Sequence, residues 1–96
     1  MSILLVGGHD SMHDAYKNIG NRHGHNVKVF TQMPAKFDKV IGRPDVIVLF
    51  TSTVSHKMVM TAVKEAKKKK IPVFRCHNSS ALSLENSIKM LENSIS

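Results

Sequence analysis

The chain has 96 residues, of which 42% are hydrophobic and 22% are charged, and its formal net charge is +7. This length and composition predict one globular domain over residues 1–96 and exclude collagen-like, coiled-coil and disordered chains. The longest apolar run, 46–50, is far shorter than the ~20 residues of a membrane-spanning helix, and no segment has the pattern of a signal peptide.

The first half of the chain alternates between strand and helix patterns. A continuous apolar run that ends at two glycines predicts a strand buried on both faces. Apolar residues at helical spacing follow it, and Gly20 or Gly24 is expected to end that helix. The predicted strands of this half are 3–6 and 26–30, and the predicted helices are 12–19 and 37–41.

The second half repeats the alternation. Its first strand contains only apolar residues after Asp45, which predicts the most deeply buried strand, whereas Pro72 predicts that the last strand lies at an edge. The final helix carries an apolar stripe that ends at Ile95. The predicted strands of this half are 45–50 and 71–75, and the predicted helices are 54–70 and 81–95.

Four strands that alternate with helices predict a parallel sheet in a three-layer α/β sandwich. Because crossover connections are right-handed, few strand orders remain. We expect the order 2-1-3-4, which is that of a minimal Rossmann-like or flavodoxin-like domain. No internal repeat or linker divides the chain.

Polar residues follow three of the predicted strands. Ligands of such sheets bind outside the carboxyl ends of the strands, near the point where the strand order reverses, which here lies between the first and third strands. We therefore predict a ligand site in the loops that leave the first, third and fourth strands, and we call its residues the polar rim. They are Gly7, Gly8, His9, Asp10, Ser11, Thr51, Ser52, Thr53, Ser55, His56, Arg75, His77, Asn78, Ser79 and Ser80.

The polar rim has the chemistry of an anion site. Each loop is followed by a helix N-terminus, whose free N–H groups and partial positive charge attract phosphate or carboxylate. Gly7 and Gly8 would let an oxygen approach the backbone, and Arg75 could bind a phosphate through two hydrogen bonds. The positive net charge also favours an anionic partner. We expect a phosphate-bearing small molecule, such as a nucleotide or nucleotide-derived signal, that is sensed or sequestered.

Helix capping explains many of the same residues without any ligand. Asp10 or Ser11, Ser52 or Thr53, and Asn78 or Ser79 are typical N-caps, and Ser11 with Asp14 resembles a capping box. The two glycines could serve only a tight turn. Neither G-x-G-x-x-G nor a P-loop is present, so no cofactor is predicted.

Other chemistries have weaker support in the sequence. His9, His56 and His77 could bind zinc together with Cys76, but their spacing is not a metal signature, and no metal site is predicted. A small hydrolase or phosphoryl-transfer enzyme could use the same side chains. No nucleophile is paired with a base by sequence pattern, so no catalytic residue is assigned.

Several remaining features bear on partners and location. Met60, Leu82 and Met90 lie off the helical stripes and could either be scattered or form a homodimer face. A nucleic-acid partner is not expected, because aromatic residues make up only 5% of the chain and nucleic-acid motifs are missing. No membrane partner is expected either, and a single cysteine indicates the reducing cytoplasm.

Two further groups of residues are expected to lie outside the site. The lysines 67–70 end the third helix, where they complement its dipole at the edge opposite the polar rim. His23 and His25 flank Gly24 in a turn, where we expect them to be exposed.

The loops of the polar rim also carry a resemblance to a known family. The segments Val6-Gly7-Gly8-His9-Asp10, Val54-Ser55-His56 and Ser79-Ser80 resemble those of short Rossmann-like bacterial proteins of unknown function. These proteins open with a strand that runs into V-G-G and carry V-S-H after the middle strand. Some members are labelled dinucleotide-utilising by fold analogy. The resemblance implies the same fold and the same site, and it implies no particular substrate.

Overall fold

A computed structural model describes residues 1–95, which form one parallel sheet with helices on both faces. The strand order is β2-β1-β3-β4, as predicted, and β4 is an edge strand. A short 3-10 turn, Asp10–Met12, precedes α1. The strands are β1 (Ser2–Val6), β2 (Asn26–Phe30), β3 (Val46–Phe50) and β4 (Val73–Cys76), and the helices are α1 (His13–Arg22), α2 (Phe37–Val40), α3 (His56–Lys69) and α4 (Ala81–Ile95).

The sheet separates two apolar clusters because successive side chains of a strand point to opposite faces. On one face Leu5 packs with Tyr16 of α1 and Leu84 of α4. On the other face Leu4 packs with Phe37 of α2 and Met58 of α3. All five residues of β3 are buried, which confirms the prediction that this strand is the most deeply buried. The predicted three-layer sandwich is therefore confirmed.

The end of α1 is set by Gly24 and not by Gly20. Gly20 lies inside the helix, where a Cβ atom would stand 2.0 Å from Cγ2 of Val27. Gly24 follows the helix with a φ of +78°, a conformation that suits glycine. Glycine at position 20 thus permits close contact between α1 and β2, and glycine at position 24 permits the turn.

The expectation that His23 and His25 are exposed is wrong. The side chains of His23 and His25 are only 22% and 11% exposed. Nε2 of His25 lies 2.7 Å from Oε2 of Glu92, and Nε2 of His23 lies 3.6 Å from Oε1 of Glu85. Both glutamates belong to α4, so the two histidines attach the turn after α1 to that helix.

Other residues that the sequence singles out lie at the surface and at the ends of helices. Met60, Leu82 and Met90 are exposed, each by more than half of its surface. The lysines 67–70 end α3, and Lys70 adopts the left-handed conformation that closes the helix. The backbone of Ile95 continues α4, but its side chain lies outside the described residues. None of the helices in residues 1–95 is long and apolar enough to span a membrane.

Candidate functional site

Hydrogen bonds join the loops of the polar rim into one continuous edge. The Gly8 N–H after β1 donates to Oγ1 of Thr53 after β3, at 2.8 Å. The hydroxyl of Ser52 in that second loop donates to the carbonyl of His77 after β4. Residues that are 45 and 25 positions apart along the chain are therefore in direct contact. The carboxyl ends of β1, β3 and β4 form one surface, as their parallel order requires.

Tyr16 is a central residue of this edge that sequence patterns did not single out. Its hydroxyl is buried and donates to the carbonyl of Ser79 at 2.6 Å, which links α1 to the loop before α4. The Tyr16 ring lies 5.3 Å from that of Phe50, measured between centroids. Ser79 is itself only 8% exposed. A single tyrosine within an otherwise apolar helical stripe was the available signal, since a buried hydroxyl needs a partner.

The glycine pair after β1 is explained by packing within the chain. Both residues have positive φ, +103° at Gly7 and +89° at Gly8. A Cβ atom on Gly7 would stand 3.0 Å from the Phe50 carbonyl oxygen, and one on Gly8 would stand 2.7 Å from Cε2 of Tyr16. The Gly8 N–H is already bound by Thr53. The glycines therefore shape the turn, and their predicted role in approaching a ligand oxygen has no separate support.

Asp10 binds the loop after β2. Its Oδ1 accepts the hydroxyl of Thr31, and its Oδ2 accepts Nε2 of Gln32 at 2.7 Å. The Thr31 hydrogen bond, followed by that of Gln32, lowers the pKa of Asp10 below its ordinary value of 3.8. Both carboxylate oxygens are thus engaged within the protein, and the negative charge of Asp10 would repel an anion.

The predicted N-caps of α3 and α4 are wrong in position although correct in residue type. Oγ of Ser55, and not Ser52 or Thr53, accepts the Met58 N–H of α3 at 3.2 Å. Oγ of Ser80, and not Asn78 or Ser79, accepts the Ser83 N–H of α4 at 3.2 Å. Asn78 instead binds the Ser80 N–H through Oδ1, at 2.9 Å.

The capping box predicted at the start of α1 does not form. The N-cap of α1 is Met12, which makes no side-chain cap hydrogen bond. Ser11 lies in the short 3-10 turn before it and is exposed. Because that turn precedes α1, the helix begins one residue later than an N-cap at Ser11 would place it.

Two helix N-termini remain as hydrogen-bond donors at the edge. In α3 the N–H groups of His56 and Lys57, and in α4 those of Ala81 and Leu82, have no acceptor among residues 1–95. These groups precede the capped third residue of each helix, where free donors are expected. Exposed side chains of the same loops are equally without partners in the described chain. They are His9, Thr51, His56 and His77.

Arg75 lies apart from these groups. It pairs in register with Leu49 and stands on the face of the sheet that α3 covers. There it lines a groove of about 400 Å³, which we call the α3–β4 groove. A second cavity, of about 300 Å³, lies beside α2 and also away from the polar rim. The groove is formed by Val59, Met60, Val63, Lys64, Lys67 and Arg75.

Three side chains that could act as a nucleophile or a relay, those of Cys76, Ser55 and Asp10, are engaged elsewhere. Sγ of Cys76 donates to the carbonyl of Asn78 at 3.2 Å, and Ser55 caps α3. Asp10 binds Thr31 and Gln32 and has no hydrogen bond to His9. Within residues 1–95, no group of three or more His, Cys, Asp or Glu side chains is placed to hold a metal ion.

Comparisons with known proteins agree with this fold. The chain is similar to the lactose-specific IIB component domain of the phosphoenolpyruvate:carbohydrate phosphotransferase system from Streptococcus pneumoniae. The TM-score is 0.63 at 11% identity, and the match covers 97% of this chain and 95% of that one. No curated protein sequence matches the chain. The family model DUF2325, described as an uncharacterized protein conserved in bacteria, matches residues 2–91, and the chain belongs to that family.

Proposed function

We propose that the protein binds a phosphate-bearing small molecule at the carboxyl edge of its sheet and does not convert it. The observation that carries this proposal is the pair of helix N-termini at that edge. Together α3 and α4 offer the N–H groups of His56, Lys57, Ala81 and Leu82, which have no acceptor in the part of the chain that the structure describes. Such groups combine hydrogen bonding with the positive end of a helix dipole, and both favour a bound anion.

Exposed side chains extend the same chemistry beyond the backbone. The imidazoles of His9, His56 and His77 can donate hydrogen bonds to phosphate oxygens, and the Thr51 hydroxyl can do the same. The net charge of +7 draws anions toward the molecule as a whole. A nucleotide fits this arrangement, because several donors along one edge can contact more than one phosphate group. A dinucleotide, which the label of some resembling proteins suggests, is a specific case of the same proposed ligand.

Binding without turnover agrees with the hydrogen bonds of the reactive side chains. The hydroxyl of Ser55 serves the backbone of α3, and the thiol of Cys76 donates to the chain itself. Asp10, which could orient an imidazole, is held by Thr31 and Gln32. A bound phosphate ester would thus face donors without an adjacent nucleophile–base pair. Sensing and sequestration both follow from such a site.

The test begins with the ligand that the protein carries from the cell. The chain is purified without denaturation, its bound material is released by heat, and the supernatant is analysed by mass spectrometry. We expect a phosphate-bearing compound in nearly equimolar amount, unchanged after prolonged incubation with the protein. The same compound added back should raise the free energy of unfolding by at least ~1 kcal/mol at saturation.

Two charge reversals on α3 assign the binding to the proposed edge. Lys57 is exposed in the first turn of α3, and Lys68 is exposed in its last turn. Lys57→Glu should weaken binding about tenfold, since it replaces attraction of the phosphate by repulsion. Glutamate is favourable in a first helical turn, so loss of folding would not explain the result. Lys68→Glu makes the same change of charge at the opposite end and should leave the affinity unchanged.

Three results would contradict the proposal. The first is the release of a ligand without phosphate groups. The second is the absence of both released material and thermal stabilisation across a panel of nucleotides and inorganic phosphates. The third is conversion of the bound compound during incubation, which would favour the enzymatic alternative.

A further inference from the structure

The α3–β4 groove is an open apolar surface on the flank of the sheet. Its floor is formed by Val59, Met60 and Val63, which lie on one side of α3. Met60 is 59% exposed. The groove is left open because β4 is the last strand of the sheet, so no strand within residues 1–95 continues the sheet beneath this side of α3.

Three cations surround that floor. Lys64 and Lys67 come from α3, one and two turns after Met60, and Arg75 comes from β4. None of these three side chains has a carboxylate within salt-bridge distance in the described chain. An apolar floor with unpaired positive charge around it is complementary to a partner that carries both apolar side chains and carboxylates.

The edge of β4 supplies backbone groups beside the groove. The Ile47 N–H donates to the Pro72 carbonyl, and the Thr51 N–H donates to the Cys76 carbonyl. Alternate residues of a parallel strand face one neighbour, so the N–H and C=O groups of Val73 and Arg75 point away from β3. An edge of this kind can pair with a further extended segment.

From these three features we propose that the α3–β4 groove binds an extended, acidic segment of a partner protein. The segment adds a fifth strand next to β4 through the outward backbone groups of Val73 and Arg75. On the side that faces α3, its apolar side chains enter the groove over Met60, and its carboxylates contact Lys64, Lys67 and Arg75. This surface is distinct from the proposed anion site.

Charge selects the partner over a second copy of the chain. If two copies paired through β4, each groove would bring Arg75 and the two lysines toward the same cations of the other copy. Like charges across an interface are unfavourable and reject the wrong partner. The whole chain carries 14 Lys and Arg against 7 Asp and Glu, which adds to the repulsion.

The experiment measures binding of short fluorescent peptides to the full chain by anisotropy. In the probes every second residue is alternately glutamate and valine, leucine or phenylalanine, with threonine between them, so that acidic and apolar side chains lie on the same face of the strand. One comparison set replaces glutamate by lysine, and another consists of glutamate alone. We expect saturable binding for the alternating acidic probes only, with an affinity that falls as salt increases. Two further probes carry N-methyl groups on the odd-numbered or on the even-numbered residues of the peptide. One of the two should fail to bind, because a strand directs every second N–H toward its neighbour.

Matched variants then assign the surface. Met60→Glu should weaken binding about fivefold or more, whereas Met90→Glu should not, although Met90 is 57% exposed in the middle of α4. Lys67→Glu should weaken binding, and Lys68→Glu, next to it but outside the groove, should have a much smaller effect. Circular dichroism confirms that each variant is folded, which the exposure of Met60 and Met90 favours.

Four outcomes would overturn the proposal. The first is that none of the acidic probes saturates the protein up to ~1 mM, and the second is that the glutamate-only probe binds equally well. The third is that neither pattern of methylation weakens binding. The fourth is that Met60→Glu and Met90→Glu have equal effects. Light scattering tests whether a second copy of the chain occupies the groove instead. A homodimer that Met60→Glu dissociates would assign the groove to a second copy. Release of the phosphate-bearing ligand is unaffected by Met60→Glu, so the two proposals fail separately.

Discussion

Gly8 is the position where a single added methyl group should disturb the polar rim most. A Cβ atom there would lie 2.7 Å from Cε2 and 2.8 Å from the hydroxyl oxygen of Tyr16. The residue also has a φ of +89°. We therefore predict that Gly8→Ala lowers the free energy of unfolding by about 3 kcal/mol, from backbone strain and steric overlap together. Urea denaturation followed by circular dichroism measures this loss.

Gly24→Ala separates the two contributions. Gly24 has a φ of +78°, similar to that of Gly8, but nothing in the described chain lies within 4 Å of its missing Cβ atom. Only the backbone strain applies there, so the expected loss is about 1 kcal/mol. Equal losses at both glycines would show that contact with Tyr16 contributes nothing.

Asp10 should make stability depend on pH in acid. Its pKa is lowered in the folded protein, first by the Thr31 hydrogen bond and then by Gln32. A carboxyl group with a lower pKa when folded stabilises the protein fully above its unfolded pKa, and this stabilisation disappears as the pH falls through the folded pKa. Asp10→Asn should therefore be destabilising at neutral pH and nearly neutral once the pH lies below both pKa values.

Urea midpoints of the wild type and Asp10→Asn across the acid range measure this difference. Asp14→Asn is the control, because the Asp14 side chain is 97% exposed and, unlike that of Asp10, accepts no hydrogen bond from the described residues. A difference between wild type and Asp10→Asn that stays constant with pH would contradict the assigned cause.

At the scale of elements, Gly20 allows α1 to pack closely against β2, because it has no side chain. Glycine to alanine inside a helix normally stabilises by about 1 kcal/mol. Here a Cβ atom would overlap Cγ2 of Val27 at 2.0 Å. Gly20→Ala should therefore destabilise by about 1–3 kcal/mol, since forced overlap in a packed core exceeds the gain in helix propensity.

The double variant with Val27→Ala tests the cause. Removing the Val27 side chain opens space for the new methyl group, so Gly20→Ala should cost much less in the Val27→Ala background than in the wild type. The difference between the two backgrounds is the coupling energy of the pair. If the effects of Gly20→Ala and Val27→Ala were additive, the destabilisation by Gly20→Ala would not come from contact with the Val27 side chain.

The elements and their order were predictable because they depend on local patterns and general rules. The uninterrupted apolar sequence 46–50 requires burial on both faces, and right-handed crossovers restrict the strand order. The choice between Gly20 and Gly24 was not predictable, since both follow an apolar stripe. Only the position of Val27 on the neighbouring strand reveals that the first of them serves packing.

The site was predictable as a region but not in its contacts. Parallel strands bring their carboxyl ends together, so the loop residues Gly8, Thr53 and His77 belong to one edge. Which serine caps a helix depends on where the chain leaves the loop, and periodicity locates that point only to within a few residues. The position of Arg75 at the end of the predicted strand suggests the carboxyl edge of the sheet. Strand alternation instead directs its side chain to the face that α3 covers.

At the scale of the whole molecule, the two apolar clusters share the same four strands. Neighbouring residues of β1, Leu4 and Leu5, belong to opposite clusters, so neither cluster can be lost without disrupting the other. We therefore predict one cooperative unfolding transition, with an m-value of ~1 kcal/mol/M in urea for a chain of this size.

The chain supplies a convenient probe of this cooperativity. Tyr16 is its only tyrosine, tryptophan is absent from the sequence, and Tyr16 is buried between α1 and the sheet. Its fluorescence therefore reports the face covered by α1 and α4, whereas far-UV circular dichroism includes α3 on the opposite face. The two signals should change at the same urea concentration, with Tyr16→Phe as the fluorescence blank. If the fluorescence changed first, the α1/α4 face would unfold separately and the shared sheet would not couple the clusters.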